Sequence, residues 1–290
     1  MQDGRIQRGI TCVSYRIVAD SCCEFPEIVK REIPCINVPL TIMVRDLTIV
    51  DDETFNQKVL LMALRDSNEG ARSACPSPEL FMSAFEGDED EIYVITISAD
   101  LSGSYNSAVL ARSLYLEKRA GKKVHVFNSE STSGGEAHIA LKIRECKMAG
   151  MEFEETVKQT QDFINGQKTY FVLESLEELR KNGRLSNLKA LAANTLNLKP
   201  ICAGDHGTIV QLALARGVKR ALKKMVEIAL QEAGDTSEKI LIINHCNCPE
   251  RAREVMEDFL SRASFKETMI MDTAGINSLY AEDGGIIVTF

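Results

Sequence analysis

The sequence predicts an α/β protein with two domains, on the basis of its length and of two different strand rhythms. The chain has 290 residues, more than the roughly 100–200 of a typical single domain. In its first half, short apolar runs alternate with helical patterns, which is typical of a parallel sheet covered by helices. In its second half a glycine-bounded hairpin interrupts the alternation, which indicates a mixed or antiparallel sheet. We therefore expect one domain over residues 1–165 and another over residues 166–290.

The N-terminal half is predicted to alternate extended segments with helices. The β-branched run at 92–97 is the best strand candidate in the chain. Ser77 and Pro78 mark a helix start, and the buried face that follows is expected to include Leu80. The predicted strands cover 15–19, 36–44, 92–97 and 123–127, and the predicted helices cover 25–30, 54–64, 77–85, 105–116 and 134–150. Residues 34–70 form an excursion in which we expect an inserted hairpin or lid.

The C-terminal half is predicted to combine a hairpin with crossover helices. The turn Gly-Asp-His-Gly at 204–207 offers glycines at both ends, where a positive φ is tolerated. Gly183 is expected to end the short helix before it. The predicted strands cover 169–173, 198–202, 208–214, 239–244, 267–271 and 286–290, and the predicted helices cover 153–164, 176–181, 218–232 and 249–263.

Composition and charge exclude several classes of partner. Hydrophobic residues make up 44% of the chain, which is enough for a proper core. The net charge of −8 argues against a nucleic-acid or anionic membrane surface, since both need clustered Lys and Arg. The sequence has no apolar run long enough for a membrane-spanning helix. The first 14 residues resemble a loose extension and lack the apolar core of a signal peptide, so we expect a cytoplasmic protein.

The nine cysteines do not form a recognisable framework. Their spacing contains no Cys-x-x-Cys pair, so most are expected to be free thiols that pack as small apolar residues. His245, Cys246 and Cys248 lie close together, but a metal would need a fourth ligand from elsewhere, and we predict no metal site.

Hydroxyl-rich loops follow the predicted strands and form the candidate binding site. The loop after the 92–97 strand contains Ser102, Gly103 and Ser104 and leads into a helix, whose N-terminal N–H groups can bind an oxyanion. Similar turns hold Ser73 and Ser129. Several such turns at one edge of a sheet would suit a phosphate or carboxylate, although Ser102 could equally serve as a helix cap. Dinucleotide, Walker and hydrolase-elbow motifs are absent from the sequence.

A catalytic alternative stays open at this point. Cys22 or Cys23 would be a nucleophile if His125 or His138 came close, and Asp20 would be a general acid or base. An Asp directly after a strand more often caps the next helix.

Five segments together resemble the DegV family. They are DS at 20–21, SACPSP at 73–78, ISADLSGSYNSA at 97–108, LEELRKNGRL at 176–185 and LNLKPI at 196–201. The resemblance extends from about residue 15 to residue 290. The Leu-Ser-Gly-Ser-Tyr block and the Gly-Arg and Lys-Pro pairs are specific only in combination.

The resemblance implies a function without catalysis. DegV proteins are two-domain α/β proteins that bind one long-chain fatty acid between the domains. They present its carboxylate to a separate ATP-dependent fatty acid kinase, which makes the acyl-phosphate. In the family, hydroxyls at the positions of Ser73 and Ser102 hold the carboxylate. The fatty acid is therefore the expected ligand, and no cofactor is expected.

One departure from the family pattern concerns the carboxylate itself. The family usually has a C-terminal His that helps to hold it; Tyr280 stands in the corresponding stretch here and is the candidate hydrogen-bond donor to the carboxylate in its place. Glu282 and Asp283 add negative charge to this stretch, while Arg184 and Arg216 are candidate cations. Two alternatives therefore remain beside fatty-acid binding, namely an enzyme that acts on a small acid or ester and a lipid-sensing regulatory protein.

Overall fold

The computed structural model describes residues 14–67, 69–185 and 197–290. The strands are β1 Tyr15–Asp20, β2 Cys35–Val38, β3 Thr41–Val44, β4 Leu47–Val50, β5 Arg72–Ala74, β6 Glu91–Thr96, β7 Lys123–Asn128, β8 Thr169–Val172, β9 Leu198–Asp205, β10 Thr208–Arg216, β11 Ile240–His245, β12 Glu267–Asp272 and β13 Ile286–Thr289. The helices are α1 Glu27–Glu32, α2 Gln57–Arg65, α3 Pro78–Phe85, α4 Ser104–Lys118, α5 Gly134–Met148, α6 Phe153–Gly166, α7 Glu177–Lys181, α8 Val218–Ala233, α9 Pro249–Leu260 and α10 Gly275–Ala281. The predicted extension at the N-terminus and the start of the LNLKPI segment lie outside the described residues.

The first sheet is parallel throughout, in the order β2-β1-β6-β7. Every residue of β6 is buried because helices cover both faces, as expected for a parallel sheet. Side chains alternate between the faces: Val18 and Val94 pack against α3 and α4, whereas Ile17 and Ile95 pack against α1, α5 and α6. The predicted parallel α/β architecture is confirmed.

The second sheet is mixed, in the order β10-β9-β8-β13-β11-β12. Only the β11–β12 pair is parallel among the described strands of this sheet. The predicted hairpin forms between β9 and β10, with a positive φ at Gly207 (85°) as expected, whereas the second positive φ is at His206 (45°) and not at Gly204. Helices α8 and α9 cover one face of the sheet, and the predicted mixed sheet is confirmed.

A small antiparallel sheet, β4-β3-β5, lies beside the two large ones. Its β3–β4 hairpin falls within residues 34–70, the predicted excursion, but β2 from the same segment joins the parallel sheet by pairing with β1. Two of its strands, β4 and β5, and the later helix α10 were not predicted, because each is short and carries little periodic signal.

The start of α3 follows the sequence prediction, while one residue on its face does not. The Ser77 hydroxyl accepts the Leu80 N–H at 3.4 Å, and Pro78 occupies the first turn. Phe81 and Phe85 are buried as expected, but Leu80 is 47% exposed. Leu80 lies in the first turn of α3, at the outer edge of its apolar face, and the core that buries Phe81 and Phe85 does not cover it.

Helix α5 lies between the two large sheets. Its residues Ala137, Ile139 and Ala140 pack with β1 and β6 of the parallel sheet and with Ile242 of β11 in the mixed sheet. Gly134 allows the close approach, since a Cβ there would lie 2.5 Å from Thr289 Oγ1 and 2.6 Å from Asn244 Oδ1. The predicted domain boundary falls at Gly166, the last residue of α6.

We expect Gly134→Ala to lower the free energy of unfolding by about 1–3 kcal/mol, because the added methyl group would push α5 away from β11 and β13. Gly166→Ala is the matched control, since a Cβ there meets nothing within 4 Å. Urea unfolding followed by circular dichroism measures both variants. Equal stability of the two variants would contradict this account of the packing.

Candidate functional site

A cavity lies between the second face of the mixed sheet and the carboxyl ends of the parallel strands. Alternation along β8 directs Tyr170 and Val172 to the helices and Phe171 to the cavity, and Ile287 of β13 lies on the same face as Phe171. The cavity and the open solvent at its mouth together make up about 850 Å³ of space. Its apolar lining consists of Leu40, Ile97, Leu101, Phe171, Leu173, Leu179, Ile209, Ile276, Ala281 and Ile287.

Three predicted site residues, Ser73, Tyr280 and Arg184, meet at one part of this lining. The Ser73 and Tyr280 hydroxyl oxygens are 3.1 Å apart, and the Arg184 guanidinium lies 6.0 Å from the Tyr280 ring centroid. Arg184 donates from Nε to the Leu101 carbonyl and from Nη1 to the Asn182 carbonyl, which leaves further N–H donors. All three side chains are partly exposed, so they mark an opening of the cavity.

Helix α7 fixes Ala71, the residue directly before β5, the strand that carries Ser73. The backbone N–H of Ala71 donates to Glu178 Oε2 at 2.9 Å, and the Asn182 amide donates to the Ala71 carbonyl at 3.0 Å. Gly183 ends α7 with φ of 73°, as predicted, and turns the chain so that Arg184 follows directly. The LEELRKNGR segment therefore positions both the cation and Ser73.

Ser102 lines the same cavity and also acts locally at the start of α4. Its hydroxyl oxygen accepts the Ser104 N–H at 3.3 Å, which leaves the hydroxyl hydrogen able to donate to a ligand. Gly103 is exposed next to it, and a Cβ at this position would lie 3.2 Å from Cys75 Sγ. The helix-cap and ligand roles of Ser102 are thus compatible.

Three further predicted residues lie elsewhere. Ser104 is fully buried and donates to the Asp20 carboxylate. Ser129 is also fully buried; its hydroxyl donates to the Ser131 carbonyl and accepts the Ser131 N–H. Arg216 is exposed at the end of β10, outside the cavity lining. The sequence pattern could not separate hydroxyls that face a ligand from hydroxyls that stabilise a turn.

The acidic residues near Tyr280 do not line the cavity. Asp283 faces Arg65 at 3.4 Å and accepts from the Asn247 side chain at 2.9 Å, while Glu282 interacts with Ser175. The expected negative charge beside the anion site is therefore directed away from it. The acidic residue that does line the cavity is Glu130, which sequence inspection did not single out.

Asp20 holds the loop that carries Ser102. Its carboxylate is fully buried and accepts from the Ile97 N–H at 3.0 Å, from the Cys22 N–H at 3.1 Å and from the Ser104 hydroxyl. Burial is the largest cause of its raised pKa, and the three hydrogen bonds oppose the rise. Glu136 approaches from α5, and burial together with Asp20 raises the pKa of its carboxyl well above the usual range. Asp20 therefore has a structural role, and its oxygens are already occupied.

Sequence comparison identifies the family. A family model described as "Uncharacterised protein, DegV family" matches residues 14–289. The chain belongs to the DegV family. A DegV domain-containing protein of Streptococcus pneumoniae R6 is 33% identical over 283 residues, which is 96% of this chain and 99% of that protein.

Solved DegV structures share the fold. A DegV family protein from Ruminococcus gnavus, refined with vaccenic acid, has a TM-score of 0.93 and 47% identity, covering 96% of this chain and 99% of that one. The fatty acid kinase B3 protein of Streptococcus pneumoniae, loaded with linoleic acid, has a TM-score of 0.85 and 32% identity at the same coverage of both chains.

The thiols of this DegV protein are poor candidates for catalysis. Cys22 and Cys23 are buried, and burial raises the pKa of both well above the usual value. Burial also lowers the pKa of His125 and of His138 to about 4. The two thiols of the His245 cluster contact different carbonyls, Cys246 at Ser278 (3.9 Å) and Cys248 at Gly285 (3.6 Å).

None of the described helices is long and apolar enough to cross a membrane.

Asp20→Asn is expected to lower the free energy of unfolding by about 2–4 kcal/mol, since an amide NH₂ would face donors in a buried site. The control is Asp46→Asn in the exposed β3–β4 turn, with an expected change of at most about 0.5 kcal/mol. Urea titration at pH 7 measures both. A stable Asp20→Asn variant would show that the carboxylate does not organise the loop.

Proposed function

We propose that this protein binds one long-chain fatty acid without catalysing a reaction on it. The observation that carries the proposal is a single cavity in which hydroxyls and a guanidinium adjoin an apolar wall. Relatives at 47% and 32% identity are described with vaccenic and linoleic acid, which supports the same class of ligand.

In this proposal the carboxylate lies among Ser73, Ser102 and Tyr280. Three hydroxyl donors suit a carboxylate, which accepts hydrogen bonds at both oxygens. Arg184 supplies positive charge close to the Tyr280 ring and compensates for the absence of a titrating histidine. The exposed amide of Gly103, at the start of α4, is a further donor at this position.

The acyl chain would lie along the wall formed by β8, β13 and α10. Each methylene removed from water contributes about 0.8 kcal/mol, so a long chain gains far more than a short acid. Phe171, Leu173 and Ile287 face the cavity from the sheet, and Ile276 and Ala281 face it from the helix. Apolar burial therefore favours a long-chain ligand over the small acid or ester of the alternative hypothesis.

We further propose that the protein presents its ligand to a separate ATP-dependent fatty acid kinase in the cytoplasm. Support comes from the pneumococcal relative, which is described as the B3 protein of fatty acid kinase. The partly exposed carboxylate site suits such a role, because a second protein could reach the carboxylate without entering the apolar cavity.

The division of the chain into two domains, residues 1–165 and 166–290, remains a prediction.

Ser102→Ala should weaken fatty-acid binding about tenfold or more, because a hydrogen bond to a charged group contributes about 1.5–3 kcal/mol. Ser113→Ala on the outer part of α4 is the control, since its hydroxyl bonds only to the Val109 carbonyl in the same helix. Titration of delipidated protein with oleic acid measures both. Unchanged affinity in Ser102→Ala would refute the site assignment, and no binding by the wild type would refute the function.

Thiol labelling distinguishes the proposed binding function from the alternative hypothesis of an enzyme with a catalytic cysteine. In the folded protein, iodoacetamide should modify exposed Cys75 and leave Cys22 and Cys23 unmodified, because thiolates are the reactive form. Peptide mapping by mass spectrometry identifies the labelled positions. Rapid labelling of Cys22 or Cys23 would instead favour the enzyme hypothesis.

A further inference from the structure

Helix α10 supplies the cavity with several lining residues although it spans only Gly275–Ala281. So short a helix has little stability of its own. Its start is held instead by side chains from the N-terminal half. Asp51, directly after β4, accepts the Gly275 N–H at 2.7 Å and the Ile276 N–H at 3.0 Å.

Glu24 is the second carboxylate at this start. Its Oε1 accepts the Ala274 N–H and the Asn277 amide, both at 2.7 Å. Its Oε2 accepts from the Ser133 hydroxyl at 2.6 Å and from the Asn244 amide at 3.2 Å. Glu24 thereby ties α10 to the start of α5 and to β11. All four partners donate, so only an ionised carboxylate satisfies them together.

A short path leads from Glu24 to the carboxylate site. Asn277 lines the cavity, donates to Glu24 and accepts from the Thr132 hydroxyl at 2.6 Å. Tyr280 follows Asn277 by three residues and thus lies on the same side of the helix. Its hydroxyl meets Ser73 at 3.1 Å, so a small rotation of α10 would separate the two hydroxyls.

We propose that Glu24 is a positioning residue for the carboxylate site, which fixes α10 so that the Tyr280 hydroxyl lies opposite Ser73. This inference rests on the proposed function, because Tyr280 is taken to hold the fatty-acid carboxylate. Glu24 itself lies outside the cavity lining and acts only through the helix.

The charge of Glu24 makes this arrangement sensitive to pH. Burial of the carboxyl, with a smaller contribution from the charge of Asp51, raises its pKa to about 7 against the opposing hydrogen bonds. The other titrating groups beside it are Glu136, Cys22 and Cys23; burial raises the pKa of each well above its usual value, and both thiols therefore stay protonated near neutrality. As the pH falls through 7, Glu24 gains a proton and its hydroxyl oxygen stops accepting from at least one donor. The hydrogen bonds from Ala274 and Asn277 lower the pKa of Glu24 against the effect of burial, so protonation of the buried carboxyl opposes these two bonds and the hold on α10 weakens as the pH falls through 7.

Glu24→Gln tests the positioning in the absence of ligand. Hydrogen–deuterium exchange at pH 8 should be about tenfold faster for amides 274–281 in this variant and unchanged in α8. Glu27→Gln is the matched control, because Glu27 is exposed and its carboxylate pairs with Lys30 in its own helix. Unaltered exchange in α10, or equal acceleration in α8, would overturn the proposal.

A double-mutant cycle with oleic acid then tests the link to the site. Tyr280→Phe should weaken binding about tenfold in the wild type and by less than twofold in Glu24→Gln.

The pH dependence of binding is a second test. The affinity difference between wild type and Glu24→Gln should shrink from pH 8 to pH 6, because Glu24 becomes protonated in the wild type. Additive effects or a pH-independent difference would overturn the proposal. Failure of wild-type protein to bind oleic acid would refute the proposed function, while the exchange result would still decide the role of Glu24.

Discussion

The Asp20 carboxylate at the end of β1 has no access to water, so each of its oxygens must find donors within the protein. It takes them from the backbone after β6, from its own turn and from the first residue of α4. These bonds fix the strand–loop–helix turn that carries Ser102. Because the carboxyl ends of β1 and β6 are neighbours in the parallel sheet, one buried charge is enough to hold the loop.

The site joins pieces that are far apart in the sequence. Ser73 comes from the small sheet, Ser102 from the parallel sheet, Arg184 from the end of α7 and Tyr280 from α10. The mixed sheet contributes the apolar wall, since strict alternation along β8 and β13 gives it one face toward helices and one toward the cavity. Carboxylates connect these pieces: Asp20 bonds to the start of α4, Glu178 to the residue before β5 and Glu24 to the start of α10.

Local patterns in the sequence predicted most of the fold. The β-branched run of β6, the Ser77 cap and Gly183 each act through nearby residues, so a single sequence is sufficient to predict them. Ser73 and Tyr280 were named through a family resemblance, and the structure brings them into hydrogen-bonding contact. Glu24 and α10 were missed, because their contacts span about 250 residues and leave no local periodicity. Ser104, Ser129 and Arg216 lie away from the cavity lining, since side-chain direction depends on tertiary contacts.

We propose that one acyl chain occupies the cavity with its carboxylate among Ser73, Ser102 and Tyr280. A crystal structure of the protein purified from cells without added lipid tests this most directly. We expect one tube of electron density per chain, running along Phe171 and Ile287 and ending in a carboxylate at Ser73 and Ser102. A water-filled cavity, together with no fatty acid in a lipid extract of the same preparation, would contradict it.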